Sequence, residues 1–219
     1  MMSSERRDGM TVGNVMTTKV LAVAPDTDFR KIATIFRENR VSACPVVNGA
    51  GQVLGVVSEA DLLHKAAETE FPAGPIRLQW KLSQKSKATA VTAGQLMTSP
   101  AVTIHADAPV TAAAKTMQDR SLKRLPVVDE GDKLIGIVSR VDVLSVYERP
   151  DSAIQADIQR LVSDEFGLPP ERIAVTVTAG IVTLTGSIPS REMALTLVAQ
   201  TRNVDGVVAT RDRLTISDA

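Results

Sequence analysis

Apolar residues along the chain switch between two periods, and the whole switching pattern occurs twice. Phe29, Ile32, Ala33 and Phe36 fall at i, i+3, i+4 and i+7, one face of a helix, and Val110, Ala113, Ala114 and Met117 do the same. A short extended segment comes before each helix, Val20–Val23 or Ala101–Ile104, and Asp26 or Asp107 is placed as an N-cap. After each helix comes an apolar run, Cys44-Pro45-Val46-Val47 or Leu125-Pro126-Val127-Val128. A Gly- or Asp-rich turn (48–51 or 129–132) and a second apolar run (Val53–Val57 or Leu134–Val138) complete the pattern of a β-hairpin. A further helix is expected from Ser58 and from Ser139. Residues 11–64 align with residues 92–145 at a constant offset of 81 without a gap, and 14 of the 54 positions are identical. Pro-Val-Val and Gly-x-Val-Ser-x-x-Asp recur at the same spacing, which marks an internal repeat. One such unit alone would bury too little surface to be stable, so the two copies are expected to pack through their strands into one core.

The remainder reads differently. Arg149-Pro150 marks a boundary, and Ile154, Ile158, Leu161 and Val162 form the next helical face, stopped by Gly167-Leu168-Pro169-Pro170. From Ile173 to Ser190 the chain is uncharged, but Ile173, Val175, Val177, Val182 and Leu184 alternate with polar residues. A hairpin over 173–186 turning at Thr178-Ala179-Gly180 explains this better than a membrane helix. Ser190 then caps a helix with Ala194, Leu197 and Val198 inward, and a last strand runs from Val207 to about Ile216, giving the order αββαβ. The domain boundaries expected are therefore 10–68 for the first repeat, 69–91 for an insertion, 92–148 for the second repeat and 149–219 for the C-terminal domain. The insertion holds the only tryptophan, Trp80, within an acid-free stretch from Phe71 to Ala106. It reads as a linker, as a lid over an anionic ligand (with Trp80 on an adenine), or as a contact for an acidic partner.

Composition narrows the function. Aromatics are 3% of the chain, so the core must be built from Val, Ile, Leu, Ala and Met. Net charge is zero, and the parts 1–70, 71–148 and 149–219 carry −1, +3 and −2 (8 − 9, 10 − 7 and 7 − 9 Lys/Arg minus Asp/Glu). None has the basic excess of a nucleic-acid binder. Cys44 is the only cysteine, which excludes an intrachain disulfide and reads as core rather than nucleophile. Met1–Met10 lacks the apolar run of a secretory signal, and the expected location is cytoplasmic. His64 and His105 occupy non-equivalent repeat positions without metal-ligand spacing, and no nucleophile, base and oxyanion site assemble. The chain is read as a non-enzyme with no metal and no required cofactor.

Val15-Met16-Thr17, Val41–Val47 and Gly55-Val56-Val57-Ser58-Glu59-Ala60-Asp61, matched by Leu96-Met97-Thr98, Leu122–Val128 and Gly136-Ile137-Val138-Ser139-Arg140-Val141-Asp142, together resemble the CBS (cystathionine β-synthase) domain family. The resemblance implies an α+β fold: two βαββα repeats with pseudo-two-fold symmetry, followed by the small αββαβ domain. It also implies adenine nucleotides (AMP, ATP) or adenosyl compounds in clefts between repeats, and homodimers formed through the repeats. Carried onto this sequence, the nucleotide-binding positions are Thr17, Val20, Ala43, Pro45, Ser58 and Asp61 in copy one. In copy two they are Thr98, Ala101, Lys123, Arg124, Pro126, Ser139 and Asp142. The chemistry can also be argued from the residues. A hydroxyl at a strand-to-helix corner joins the unpaired N–H groups that suit a phosphate, and a carboxylate three residues on can accept both ribose hydroxyls. Ser-x-x-Asp is equally a helix-capping pattern, and that alternative stays open. Copy two has Lys123 and Arg124 ahead of Pro126, whereas copy one has Ala43 and Cys44 ahead of Pro45, so the clefts need not be equal; both basic residues read as phosphate contacts or as a solvated strand entrance.

Gly180-Ile181-Val182-Thr183-Leu184-Thr185-Gly186 and Val204-Asp205-Gly206-Val207, in the order αββαβ, resemble the BON domain family. That resemblance implies an interaction domain for a protein partner or phospholipid. Three roles follow for the whole chain. It is a regulatory module sensing adenine nucleotides or adenosyl compounds, a dimeric scaffold without ligand, or a membrane-peripheral protein acting through the C-terminal domain. Nucleic acid is not an expected partner.

Overall fold

The computed structural model describes residues 9–68 and 91–217; the insertion, with its expected lid, linker or Trp80 contact, lies outside the described residues. The described chain divides into two compact units. One holds residues 12–68, 91–108 and 115–139; the other holds 9–11, 109–114 and 140–217.

In the first unit a short helix α1 (Val12–Val15) precedes α2 (Phe29–Asn39), the hairpin β1 (Ala43–Val47) and β2 (Val53–Ser58), and α3 (Glu59–Glu68). The second copy runs α4 (Ala93–Leu96), β3 (Ile104–His105), α5 (Val110–Asp119), β4 (Arg124–Val128), β5 (Leu134–Ser139) and α6 (Arg140–Leu144), and the unit boundary falls after β5. Both hairpins are antiparallel with equivalent registers, Ala43 opposite Ser58 and Arg124 opposite Ser139, and both slip at the last valine of the first strand. The repeat extends to the backbone. Arg40 and Ser121 both take positive φ after the first helix, and Gly51 and Asp132 both do so in the hairpin turn.

The expected N-caps need correction. Asp28, not Asp26, caps α2, its carboxylate accepting from the Lys31 N–H at 2.9 Å. In copy two the helix starts at Val110, directly after Pro109, and Asp107 lies in the preceding turn. Proline has no side-chain acceptor, and the Ala112 N–H donates instead to the Pro109 carbonyl at 2.9 Å, so copy two starts its helix by another route.

The two hairpins join tip to tip. The Val53 N–H donates to the Asp132 carbonyl at 3.1 Å, the Leu134 N–H to the Gly51 carbonyl at 3.0 Å, and Gln52 bridges Lys133. The start of each copy belongs spatially to the other. Thr98 pairs with Val56 on β2, and Thr17 pairs with Ile137 on β5. This crossing explains the shared glycines. A Cβ at Gly55 would lie 2.6 Å from Met97 Sδ, and a Cβ at Gly136 would likewise collide with Met16. Ala93 and Leu96 complete the core of copy one beside Ile32, Phe36, Cys44, Val46, Val57 and Leu62. Met-Thr and Gly-x-Val-Ser therefore belong to one sequence repeat but meet across copies in space.

In the second unit α6 passes through a 3₁₀ turn (Ser145–Glu148) into α7 (Asp151–Asp164), then β6 (Ile173–Thr178), β7 (Ile181–Ile188), α8 (Arg191–Arg202) and β8 (Ala209–Ile216). The sheet order is β6-β7-β8, with β6/β7 antiparallel and β7/β8 parallel across α8. Ile154, Ile158, Leu161 and Val162 from α7 pack with Leu197 and Val198 from α8 against Ile173, Val182, Leu184 and Ile188. Helix α7 ends at Gly167 with φ +62, and the Leu168 N–H returns to the Val162 carbonyl at 3.2 Å, so the glycine supplies the left-handed residue a helix terminus needs. The β6–β7 loop is two residues, Ala179 and Gly180, both at positive φ, the geometry that matches strand twist in a tight hairpin.

Candidate functional site

The corner where β2 becomes α3 is the best-defined candidate. Ser58 ends the strand. Its backbone N–H and its Oγ both donate to Asp61 Oδ2, at 2.9 and 2.7 Å, and Asp61 is 9% exposed. The Glu59 N–H donates to the Ser42 carbonyl at 3.0 Å, so the opening turn of α3 rests on the entrance of β1. Hydrogen bonds to a carboxylate of this kind contribute about 1.5–3 kcal/mol. The capping reading of Ser-x-x-Asp is thus the observed arrangement in copy one. It holds the carboxylate in one orientation at the mouth of a helix whose first N–H groups favour anions.

Arg124 enters this corner from the other copy. Its Nη2 donates to Ser42 Oγ at 2.7 Å. The equivalent pair, Ala43 and Lys123, cannot make the reciprocal bond, so one cross-repeat link exists where symmetry would allow two. A guanidinium is always charged and presents several donors, and Arg124 is half-buried. Sequence reasoning singled out Arg124 but missed Ser42. The available signal was the offset itself, since Ser42 stands where copy two has Lys123.

The remaining expected site residues separate by exposure. Thr17, Thr98 and Lys123 are exposed; Val20, Ala101, Ser139 and Asp142 are half-buried; Ala43, Pro45 and Pro126 are buried. The Pro45 carbonyl accepts from the Val23 N–H at 3.0 Å, a structural bond that joins the extended segment before α2 to the hairpin. Thr98 stands beside Val56, two residues before Ser58, and this brings it toward the copy-one corner. Thr17 stands beside Ile137, and Ser139 ends β5. Asp142 lies on α6, where the Ser145 hydroxyl donates to its carbonyl at 2.6 Å.

Cys44 is fully buried in β1. Burial pushes its thiol up to about 11, against a smaller opposing pull from the Arg124 charge. A thiol so held is packing, not a nucleophile. His64 and His105 are exposed, and no cluster of His, Cys, Asp or Glu suited to a metal ion occurs among the described residues. No helix among the described residues is long and apolar enough to cross a membrane.

The crossed repeats and their twin hairpins agree with a family model described as the CBS domain, which matches residues 12–68 and 93–149. The chain belongs to the CBS domain family. A BON domain model matches residues 150–218, so the CBS pair is followed by a BON domain. Among known proteins, the chain is 29% identical over 151 residues to the protein MK0525 of Methanopyrus kandleri, covering 69% of each chain. It is 33% identical over 156 residues to the CBS domain-containing protein CBSX1, chloroplastic, of Arabidopsis thaliana, covering 65% of this chain and 66% of that one. Among solved structures, CBSX2 in complex with AMP matches with a TM-score of 0.54 at 30% identity, over 62% of this chain and 94% of that one.

Proposed function

We propose that the CBS pair is a regulatory module that binds an adenine nucleotide, AMP in the first instance, and carries no catalytic site of its own. The observation that carries this reading is the Ser58–Asp61 corner with Arg124 reaching into it from the other copy. Asp61 is oriented to accept ribose hydroxyls, and Arg124 exchanges Ser42 for the phosphate. The similarity to CBSX2, whose structure holds AMP, supports the same ligand class. Thr98 and Ala43 border this corner; Thr17, Val20, Ala101, Pro45, Lys123, Pro126, Ser139 and Asp142 serve the paired positions. Related adenosyl compounds lack the phosphate that Arg124 would meet and are expected to bind more weakly. ATP is a further candidate, with Lys123 beside its longer tail.

Association through the CBS repeats is part of the same proposal. Leu63 on α3 is 68% exposed and its repeat equivalent Leu144 on α6 is 59% exposed, so the second helix of each copy shows an apolar side chain to solvent. A homodimer would cover them. The BON domain is proposed as the interaction domain for a protein partner, in a cytoplasmic protein.

Calorimetric titration tests the site. AMP should bind to the native chain, and Arg124→Ala should weaken AMP about tenfold while leaving adenosine within about twofold, as loss of one charged hydrogen bond predicts. Equal loss for AMP and adenosine would remove Arg124 from the phosphate role. Absence of any binding would overturn the proposal.

A further inference from the structure

We propose that the outer edge of β8 in the BON domain docks an extended segment of a partner protein that carries acidic residues at alternate positions. This rests on the reading of that domain as an interaction domain for a protein partner, and it gives the partner its chemistry. Every residue involved lies in one compact unit.

The sheet order β6-β7-β8 leaves one side of β8 without a strand neighbour among the described residues. The strand is eight residues long, enough for a full ladder with an added strand. The Ser217 N–H donates to the Ile188 carbonyl of β7 at 3.0 Å, so odd-numbered donors along this strand point inward. Those of Thr210, Asp212, Leu214 and Ile216 therefore point away from the sheet. The Leu214 N–H is met by Asp212 Oδ1 at 2.9 Å, the strand's own carboxylate standing in for a neighbour. An open row of backbone donors and acceptors is a template for strand addition.

The side chains decide which strand fits. Leu214 packs on the domain core, so Arg211 and Arg213 share the opposite, open face of the sheet. In register beside them stand Thr183 and Thr185 of β7, and beside those Thr176 and Ala174 of β6. None of the three strands places an acidic residue on this face. Both arginines are exposed. Among the described residues neither has an ion-pair partner, whereas Arg149 and Arg160 are both taken up by Asp157. Two such cations about 7 Å apart along the edge match carboxylates two positions apart on an added strand.

A second copy of β8 does not meet this requirement. Two-fold antiparallel pairing centred on Asp212 sets Arg211 against the second copy's Arg213, and Asp212 against its own equivalent. Centring on Arg213 sets that arginine against its equivalent. These are the two registers of longest overlap, and like charges directly opposite one another destabilise a ladder. An acid–base–acid segment reverses each clash. Its carboxylates face Arg211 and Arg213, and its central cation faces Asp212.

The probe is a capped, fluorescein-labelled peptide containing Thr-Val-Glu-Lys-Glu-Val-Thr, titrated into the full chain by fluorescence anisotropy, with its position read from amide hydrogen exchange. The peptide should bind and slow exchange of the 210–216 amides by about threefold or more. Arg211→Glu with Arg213→Glu should weaken it by about tenfold or more. Arg211→Lys with Arg213→Lys should stay within about threefold of the native affinity, since exposed pairs of this kind are read by charge. A charge-swapped peptide, Thr-Val-Lys-Glu-Lys-Val-Thr, should bind about tenfold more weakly or worse. Absence of peptide binding, binding that survives the double reversal, or protection away from β8 would overturn the docking site and leave the protein-partner reading intact. Phosphatidylglycerol vesicles that bind the native chain but not the double reversal, with no peptide binding, would overturn both.

Discussion

Asp61 combines an observed structural role with a proposed binding role. Its carboxylate caps α3 through the Ser58 N–H and hydroxyl, and the same side chain is proposed to hold a ribose. Stability and binding should therefore respond differently to size and charge. Asp61→Ala removes the cap and should cost about 1 kcal/mol of stability in addition to weakening AMP at least tenfold. Asp61→Asn keeps a capping oxygen and should recover most of the stability, measured by urea denaturation, but little of the binding. Cys44 gives an independent check on the core. With its thiol raised to about 11 by burial, alkylation by iodoacetamide at about pH 8 should be negligible in the folded chain and rapid in denaturant. Because the thiol titrates later when folded, stability falls as pH rises from the ordinary thiol value near 9 toward 11. Asp157 behaves oppositely. Burial opposes its charge, but the hydrogen bond and charge of Arg149, with Arg160, outweigh burial and hold its carboxyl below the ordinary range. The stability it contributes is complete above the unfolded carboxylate value, about 4, and is lost as pH falls further. Arg149→Ala should flatten that acid limb of a stability–pH profile.

At the scale of elements, what the sequence revealed and what it hid follow from range. Period and turn chemistry are local, and the stripes Ile32/Phe36 and Ile154/Ile158/Leu161/Val162, both hairpins and the αββαβ order could be read directly. The helix starts were misplaced by two or three residues because Asp26 and Asp28 are both acceptable caps locally, and only the path of the chain decides between them. Contacts between distant segments left no period to read. Nothing local indicates that Ala93 and Leu96 finish the core of copy one, or that Ser42 receives Arg124. Asp151 was hidden for the same reason. From the first turn of α7 its two oxygens accept the Ala179 and Gly180 N–H groups, both at 2.8 Å, and so fix the tight β6–β7 turn. Asp151→Ala should leave those two donors without their carboxylate and destabilise the BON domain by about 1–3 kcal/mol, read as a lower urea midpoint. Asp151→Asn should fall between, since a neutral amide oxygen accepts only one of the pair.

For the whole molecule, the two copies are a single exchanged structure rather than two domains in series. Each copy's Met-Thr segment lies on the other's hairpin, and both glycines that receive it are kept small for that reason. Such an arrangement would suit the proposed sensor, because a ligand at the Ser58–Asp61 corner would meet Arg124 from the opposite copy and act on both at once. The Ala43/Lys123 position, without the reciprocal bond, makes the two halves unequal, and a strongly unequal stoichiometry is expected: one tight AMP site, with any second site weaker. The exposed Leu63 and Leu144 predict self-association, which Leu63→Lys with Leu144→Lys should reduce in analytical ultracentrifugation. The most direct test of the central claim is calorimetric titration of AMP into the native chain and into Asp61→Asn. The account predicts a tight site in the native chain that Asp61→Asn weakens at least tenfold; an unchanged affinity in Asp61→Asn, or no heat from the native chain, contradicts it.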